Sequence, residues 1–135
     1  LRLLDAVVFN ALIGNHDAHA KNCSLLYADA RPALAPLYDL LCTAVYERLT
    51  PKMAMKLGSK YKFAEVQARH WEQFADQAGL SKAQTKKRIL RIAHELPAMA
   101  RQVQTSPTFT DQPLVGKIVT LIEQRAALTV RRLTD

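Results

Sequence analysis

Hydrophobic residues occupy almost every position at the start of the chain and predict a buried helix. Between Leu1 and Ile13 only Arg2 and Asp5 carry charge, so apolar side chains fall on nearly all helical faces. Gly14 is expected to end this helix, because glycine is the usual residue just beyond a helix C-terminus. The pattern therefore predicts a first helix that lies in the middle of a domain.

A polar stretch and several short apolar runs follow. Residues 15–22 show no apolar stripe and are predicted to form a loop. Residues 23–27 are bounded by turn-forming residues, as a strand is, and after a turn at 29–32 residues 33–35 can return as the second arm of a small hairpin. Residues 52–57 alternate with a period of two and predict a third short strand.

The rest of the chain has helical spacing. The first set of apolar positions three to four residues apart comprises Phe63, Val66, His70, Trp71, Phe74 and Ala78. Gly79 stands where a helix cap belongs, and Ser81 begins a capping-box pattern that opens the next helix. Pro97 is expected to kink that helix. Asp111 is expected to cap a last helix that has Pro113 in its first turn.

The composition is that of one globular domain. The chain has 135 residues, of which 49% are hydrophobic and 23% charged, which is enough to build a single core. We expect a mainly α fold with a small β-hairpin, in which residues 1–58 carry the chemistry and residues 59–135 form a helical bundle. No apolar run reaches the roughly 20 residues that span a bilayer. With no signal-peptide pattern, we expect a cytoplasmic protein without membrane contact.

A net charge of +7 favours binding to polyanions such as nucleic acid or nucleotide phosphates. Much of this charge comes from one helical segment that contains Lys82, Lys86, Lys87, Arg88 and Arg91. A solvated helix face explains that cluster better than a dedicated DNA groove. Cys23 and Cys42 lack the paired spacing of a zinc site, so we expect buried free thiols.

Three oxygen-bearing side chains follow the first predicted helix in an order typical of phosphoryl transfer. That reaction needs a carboxylate to orient or deprotonate the attacking hydroxyl, and oxygen ligands to hold Mg²⁺ against nucleotide phosphates. Asp17 and Asn22 have the five-residue separation of a kinase catalytic loop, and Asp39 comes after the predicted hairpin. Each residue alone could satisfy backbone groups in a tight loop. The three together, in this order, favour a kinase.

Segments 13–22 (Ile-Gly-Asn-His-Asp-Ala-His-Ala-Lys-Asn) and 34–41 (Leu-Ala-Pro-Leu-Tyr-Asp-Leu-Leu) resemble two signatures of the HipA family. HipA proteins are bacterial serine/threonine kinases and the toxins of HipBA-type toxin–antitoxin modules. The helical content after Gly58 is also similar to that of the HipA C-terminal lobe. The resemblance therefore implies a portion of a protein-kinase-like C-terminal lobe, and it covers most of the chain.

The resemblance also implies roles for individual residues. Asp17 would be the catalytic base, and Asn22 and Asp39 would be Mg²⁺ ligands. Asp39 would also lie at the nucleotide together with Tyr38. Lys21 is a candidate cation for the transferring phosphate, with a solvent-facing lysine as the open alternative. The implied cofactors are Mg²⁺ and ATP, and the implied partners are a protein substrate such as a translation component, a HipB-like antitoxin, and DNA bound through that antitoxin.

Kinases also need a nucleotide cradle that this sequence does not supply. They cover the nucleotide with a Gly-rich loop and hold its phosphates with a lysine from the N-terminal lobe. The sequence has four scattered glycines, Gly14, Gly58, Gly79 and Gly116. Because the chain starts inside the first helical pattern, we expect it to be a portion of a longer protein. We expect this portion to lack the N-terminal lobe. This chain alone is predicted to have little or no kinase activity.

Two other functions remain open from the sequence. The doublet His16–Asp17 also occurs in HD-type metal-dependent phosphohydrolases, although such sites need a histidine further upstream and would leave Asn22 and Asp39 unexplained. The second alternative is a non-catalytic helical module that binds a partner protein or DNA through its basic surface. We expect His19 to orient the loop through hydrogen bonds rather than to act as an acid or base.

Overall fold

The computed structural model describes residues 1–28 and 30–135, and it is mostly helical with two small antiparallel hairpins. The helices are α1 (Arg2–Ile13), α2 (Ala68–Gln77), α3 (Lys82–Gln104) and α4 (Pro113–Thr134). The strands are β1 (Leu25–Leu26), β2 (Ala33–Leu34), β3 (Lys52–Leu57) and β4 (Lys60–Lys62). Short 3₁₀ turns occur at Ala20–Asn22, Thr43–Val45 and Phe63–Glu65. The expected mainly α fold with a small hairpin is confirmed.

Helix α1 packs against α3 and α4 and contributes the centre of the core. Leu4, Val8 and Leu12 recur every four residues on one face and are almost completely buried. The expectation of a helix buried in the middle of the domain fails at its start, because Leu1 and Leu3 are 60% and 54% exposed. The helix therefore has a buried face and a partly open one.

The glycine after α1 is required by both its conformation and its neighbours. Gly14 has a φ of +78°, the left-handed conformation that suits a residue without a Cβ atom. A Cβ atom there would lie 2.8 Å from the Cβ atom of Ala44 and 2.9 Å from a methyl group of Leu121. The chain can thus turn sharply from α1 into the following loop while staying buried.

The first hairpin forms as expected, with Leu25 opposite Leu34 and Leu26 opposite Ala33. Its strands have two residues each, shorter than the predicted runs. The predicted turn at 29–32 includes Asp29, which lies outside the described residues. Strand β3 is confirmed and pairs with β4, a strand that was not predicted.

Two predicted helix starts differ from the structure, and one predicted cap is confirmed. Helix α2 begins at Ala68, so Phe63 and Val66 precede it, although both are buried against the core. Gly79 follows the end of α2 with a φ of +67°, as expected for a cap. Helix α4 has Pro113 in its first turn, but its N-cap is Gln112, so the assignment of Asp111 as the cap is wrong.

Helix α3 continues through Pro97 to Gln104. Ser81 caps its start by accepting a hydrogen bond from the backbone N–H of Gln84 at 3.4 Å. The helix packs along α4 and also contacts α1. Among the described residues, no helix is long and apolar enough to cross a membrane.

The basic face of α3 is only partly solvated. Lys86 and Lys87 are exposed, but Arg88 is half-buried and forms a two-pronged ion pair with Asp5 of α1, both contacts at 2.5 Å. The hydrogen bonds from Arg88 lower the pKa of the Asp5 carboxyl. One residue of the predicted solvated cluster therefore ties α3 to α1.

Candidate active site

The loop after α1 is fixed at its base by the segment around residue 43. The hydroxyl of Thr43 donates to the carbonyl of Gly14 at 3.2 Å and accepts from the backbone N–H of His16 at 2.9 Å. The backbone N–H of Ala44 donates to the same Gly14 carbonyl at 3.0 Å. Beyond this anchor the chain becomes exposed at Asp17. The loop therefore presents its polar tip from a buried base.

Hydrogen bonds between neighbours hold the tip of the loop. The backbone N–H of His19 donates to the side-chain oxygen of Asn22 at 3.0 Å. The Nδ1 atom of His19 lies 2.8 Å from the backbone oxygen of Asp17 and 3.3 Å from its carboxylate. His19 thus makes the orienting contacts that were expected of it, and it connects Asp17 to Asn22.

The segment after the first hairpin brings Asp39 to the loop. The side-chain N–H of Asn22 donates to the Asp39 carboxylate at 3.0 Å, across 17 positions of sequence. Asp39 has a φ of +56° and is the only residue other than glycine with a positive φ in the described part of the chain. This conformation costs an L-amino acid roughly 1–2 kcal/mol, although aspartate tolerates it better than most. The strained position thus coincides with a candidate metal ligand.

Tyr38 fastens the same segment one residue earlier. Its hydroxyl donates to the backbone carbonyl of Lys21 at 3.1 Å and lies 3.0 Å from the hydroxyl of Ser24. The side chain of Lys21 is exposed, as are those of Tyr38 and Asp39. The structure therefore brings Lys21, Asn22, Tyr38 and Asp39 together at the surface, with Asp17 linked to them through His19.

A buried histidine and a distant arginine support this loop from below. The guanidinium of Arg125, on α4, contacts the Nε2 atom of His16 at 2.8 Å and donates to the carbonyl of Ala11 at 2.7 Å. It also lies 4.4 Å above the ring of Phe63. Because Arg125 can only donate, Nε2 of His16 must accept, and Nδ1 then carries the proton and donates to the carbonyl of Thr50 at 3.2 Å.

Burial lowers the pKa of both members of this pair. Desolvation is the main cause for His16, with the charge of Arg125 as a further one, so the neutral imidazole is favoured. Desolvation also lowers the pKa of Arg125 to about 10. Both ring nitrogens of His16 already have protein partners. The HD-type interpretation, which needs this histidine as a metal ligand, is therefore not supported.

Two residues that matter to the geometry were not predicted. Arg125 carries no sequence signal, because its partner lies 109 positions away. Asn15 lies within the recognised signature, but its role depends on contacts that spacing does not reveal. Its buried side chain reaches both Asp17 and Asp39.

The cysteines differ from expectation. Cys23 is exposed rather than buried, and Cys42 is half-buried, where desolvation raises the pKa of its thiol. Within residues 1–28 and 30–135, no three His, Cys, Asp or Glu side chains gather in a way that could hold a metal ion. A metal at Asn22 and Asp39 would thus need ligands from elsewhere.

Comparisons with known proteins agree on one family. A family model described as the HipA-like C-terminal domain matches residues 1–101. "Putative kinase Y4mE" of Sinorhizobium fredii is 42% identical over 130 residues, which cover 95% of this chain and 31% of that protein. "Serine/threonine-protein kinase toxin HipA" of Shewanella oneidensis is 30% identical over 101 residues, which cover 75% of this chain and 23% of that protein.

The fold leads to the same family. A chain in the solved complex of the Shewanella oneidensis MR-1 toxin–antitoxin proteins HipA and HipB with operator DNA superimposes with a TM-score of 0.84 at 25% identity. The match covers 97% of this chain and 32% of that one. The chain thus spans about a third or less of the length of these relatives. Since the family model covers most of its residues, this chain belongs to the HipA family.

Proposed function

We propose that this chain is the catalytic and metal-binding portion of a HipA-like serine/threonine kinase, which transfers a phosphoryl group from Mg-ATP to a protein hydroxyl. The observation that carries the proposal is the 3.0 Å contact between Asn22 and Asp39, on the loop that also presents Asp17. Members of the family named as kinases support the same reaction class.

The residues present suit Mg²⁺. Asn22 and Asp39 offer an amide oxygen and a carboxylate, which are the hard oxygen ligands that this ion prefers. Mg²⁺ is commonly held by one or two carboxylates, with waters and substrate phosphates completing the shell, so a cluster of three acidic side chains is not required. When bound, the ion would neutralise negative charge that develops on the phosphates.

Asp17 has the exposure that a catalytic base needs. Its carboxylate is 57% exposed and its backbone is held by the loop, so it can meet the hydroxyl of a large protein substrate. In the proposed step the hydroxyl oxygen bonds to the γ-phosphorus as the bond from that phosphorus to the bridging oxygen breaks, and ADP leaves. Asp17 receives the hydroxyl proton.

Lys21 and Tyr38 would act at the nucleotide. The exposed ammonium of Lys21 can stabilise charge on the transferring phosphate, since cations aimed at developing charge lower the barrier. Tyr38 keeps its hydroxyl on the Lys21 carbonyl and so sets the segment that carries Asp39. We propose that the remaining nucleotide cradle comes from residues outside these 135, because the four glycines are scattered.

The organisation and partners belong to the same proposal. Residues 1–135 would form one domain, with the chemistry on residues 1–58 and the bundle on residues 59–135. The protein would be the toxin of a toxin–antitoxin module, paired with a HipB-like antitoxin and through it with DNA. The solved complex of HipA, HipB and operator DNA supports these partners. Cytoplasmic location and a substrate among the translation components stay predictions.

Transfer of radiolabelled phosphate to protein would test the proposal in the full reading frame that encodes this chain. Asp17→Asn and Asp39→Asn should each lower the rate by at least about a hundredfold, as removal of a general base or metal ligand does. Asp111→Asn is the matched control, because this aspartate is exposed in the loop before α4. Activity of either site variant within a few-fold of the control would overturn the assigned roles.

A non-catalytic binding module is the second candidate, because the chain from the first hairpin to β3 exposes many large hydrophobic side chains. Exposed large hydrophobic residues in this stretch are Leu25, Leu26, Tyr27, Leu37, Tyr38, Leu40, Leu41, Tyr46 and Leu49. Such a concentration of apolar side chains is typical of a protein contact surface. Mg²⁺-dependent binding of ATP by the protein encoded in the full reading frame would contradict a purely non-catalytic binding role.

A further inference from the structure

A buried amide at the end of α1 connects the two aspartates of the proposed site. Asn15 is 4% exposed. Its side-chain oxygen accepts from the backbone N–H of Asp17 at 3.2 Å, and its side-chain nitrogen donates to the backbone carbonyl of Asp39 at 3.2 Å. The same nitrogen donates to the side-chain oxygen of Asn10 at 2.7 Å. One side chain therefore touches the catalytic loop, the metal-binding segment and α1.

These contacts leave no side-chain polar atom of Asn15 without a partner. A primary amide has two N–H donors and one carbonyl oxygen, and the three contacts engage all of them. Asn10 in turn donates to the carbonyl of Ala6 at 2.9 Å, one turn earlier in α1. The two amides thus form a chain that begins on a rigid helix and ends on the backbone of Asp17 and Asp39.

Helix capping does not account for this arrangement. The backbone N–H of Asn15 already satisfies the carbonyl of Asn10 at 2.9 Å, which is the contact a residue just past a helix would make. The side chain is therefore free to reach another segment. Its partner at Asp39 lies 24 positions further along the chain.

The contact to Asp39 falls on a strained residue. With a φ of +56°, Asp39 keeps its conformation only if its surroundings hold it. Asn15 holds its carbonyl and Asn22 holds its carboxylate. Without Asn15, the carbonyl of Asp39 loses its buried hydrogen-bond donor. The backbone that carries the Asp39 carboxylate is then no longer held in place.

We propose that Asn15, supported by Asn10, is a positioning residue that sets the Asp39 metal ligand and the Asp17 base relative to each other. The proposal rests on the function proposed above and deepens it. It assigns to Asn15 no contact with substrate or metal. Its effect passes through the backbone of the two aspartates.

Metal binding by the chain itself provides a test that does not depend on catalysis. Mn²⁺ alone serves as the probe, and NMR line broadening at Asn22 and Asp39 reports its binding. Asn15→Ala should weaken Mn²⁺ binding roughly tenfold or more, as loss of a group that orients a ligand typically does. It should also speed hydrogen exchange of the Asp17 amide, because that amide loses its acceptor.

Val8→Ala is the matched control for lost stability. Val8 is fully buried on α1, and its side chain makes no hydrogen bond to either aspartate. This variant should lose stability while it keeps the Mn²⁺ affinity of the unmodified chain. An Asn15→Ala chain that is folded and binds Mn²⁺ as tightly as Val8→Ala overturns the proposal.

Asn10→Ala covers the case in which Asn15→Ala does not fold. It removes the support for Asn15 but leaves the contacts to Asp17 and Asp39 available, so a smaller, several-fold loss of Mn²⁺ affinity is expected. Unchanged Mn²⁺ affinity of Asn10→Ala overturns the proposed support by Asn10 and with it the connection from α1 to the two aspartates. In the full reading frame, Asn15→Ala should lower kcat and raise the Mg²⁺ concentration needed for half-maximal rate, whereas Val8→Ala should change neither.

The proposed function can fail separately from this inference. Broadening at Asn22 and Asp39 in the unmodified chain, with no effect of Asn15→Ala, overturns the positioning role alone. An unmodified chain that shows no broadening at these residues, together with a full reading frame that transfers no phosphate, overturns both.

Discussion

Replacement of Arg125 by methionine should destabilise the chain strongly, although this residue lies outside every recognised motif. The guanidinium is half-buried on α4, donates to the carbonyl of Ala11 and to His16, and stacks on Phe63. Methionine fills a similar volume but has no donor. The change therefore leaves two buried acceptors without partners, the carbonyl of Ala11 and the Nε2 atom of His16.

The size of the effect follows from these contacts. A buried acceptor that loses its donor costs about 1–3 kcal/mol, and loss of the cation–π contact adds about 0.5–2 kcal/mol. Relief of the desolvation that lowers the pKa of Arg125 to about 10 offsets part of this cost. We expect a net loss of about 3 kcal/mol in the free energy of unfolding. Arg125→Lys keeps a charged donor but lacks the planar fork that reaches both acceptors. Its loss of stability should therefore be smaller than that of Arg125→Met.

Urea unfolding followed by circular dichroism measures this difference. Arg131→Met is the matched control, because Arg131 is exposed on the same helix, and its effect should stay within about 0.5 kcal/mol. A methionine variant at position 125 that unfolds at the same urea midpoint as the Arg131 variant would refute the reasoning. That result would mean that the two acceptors find other donors or water.

Three further predictions concern His16, Gly14 and Asp5. His16 has a lowered pKa and binds protons less readily in the folded chain than in the unfolded one, so stability should fall as the pH drops from 7 to 5. His16→Gln should weaken this pH dependence in urea titrations at each pH, and the part that remains is expected from His70, whose pKa burial also lowers. Gly14→Ala should cost at least about 2 kcal/mol, from the positive φ and the 2.8 Å approach to Ala44, as measured by thermal unfolding. Asp5→Asn should cost about 1 kcal/mol by loss of the Arg88 ion pair. In the unmodified chain the stability contributed by this ion pair should be lost as the pH falls below 4 and passes the lowered pKa of Asp5. Urea unfolding at a series of acidic pH values can follow this loss.

Local patterns were sufficient for much of the fold. Short-range rules predicted the helix before Gly14 and the left-handed glycine after α2, and the structure contains both. Strand β4 was missed because Lys60–Lys62 has only three residues, too few to establish an alternating pattern, and it is paired with β3. The start of α2 was placed too early because Phe63 is buried at helical spacing while it belongs to a 3₁₀ turn. Burial periodicity alone does not distinguish these two backbones.

The candidate site divides in the same way. Spacing within one loop was enough to select Asp17 and Asn22, and the order of motifs was enough to select Asp39. The side-chain contact that joins Asn22 to Asp39 needs the three-dimensional fold, as do the contacts of Asn15 and Arg125. A contact across 109 positions leaves no periodic trace in a single sequence. Sequence therefore selected the candidate groups for the proposed chemistry and the orienting contacts of His19, but it missed the contacts of Asn15 and Arg125.

The division between exposed chemistry and buried support has a consequence for the isolated chain. Asp17 and Asp39 are exposed, whereas Asn15 and His16 are buried and tied to α1 and α4. These contacts lie within this chain, so we expect the site geometry to form without the nucleotide cradle. Metal binding and phosphoryl transfer should then separate: the chain alone should bind Mn²⁺ at Asn22 and Asp39, yet transfer no phosphate until residues that hold the nucleotide are supplied. A chain that binds no Mn²⁺ alone but binds it in the full reading frame would show that the site is assembled by those other residues.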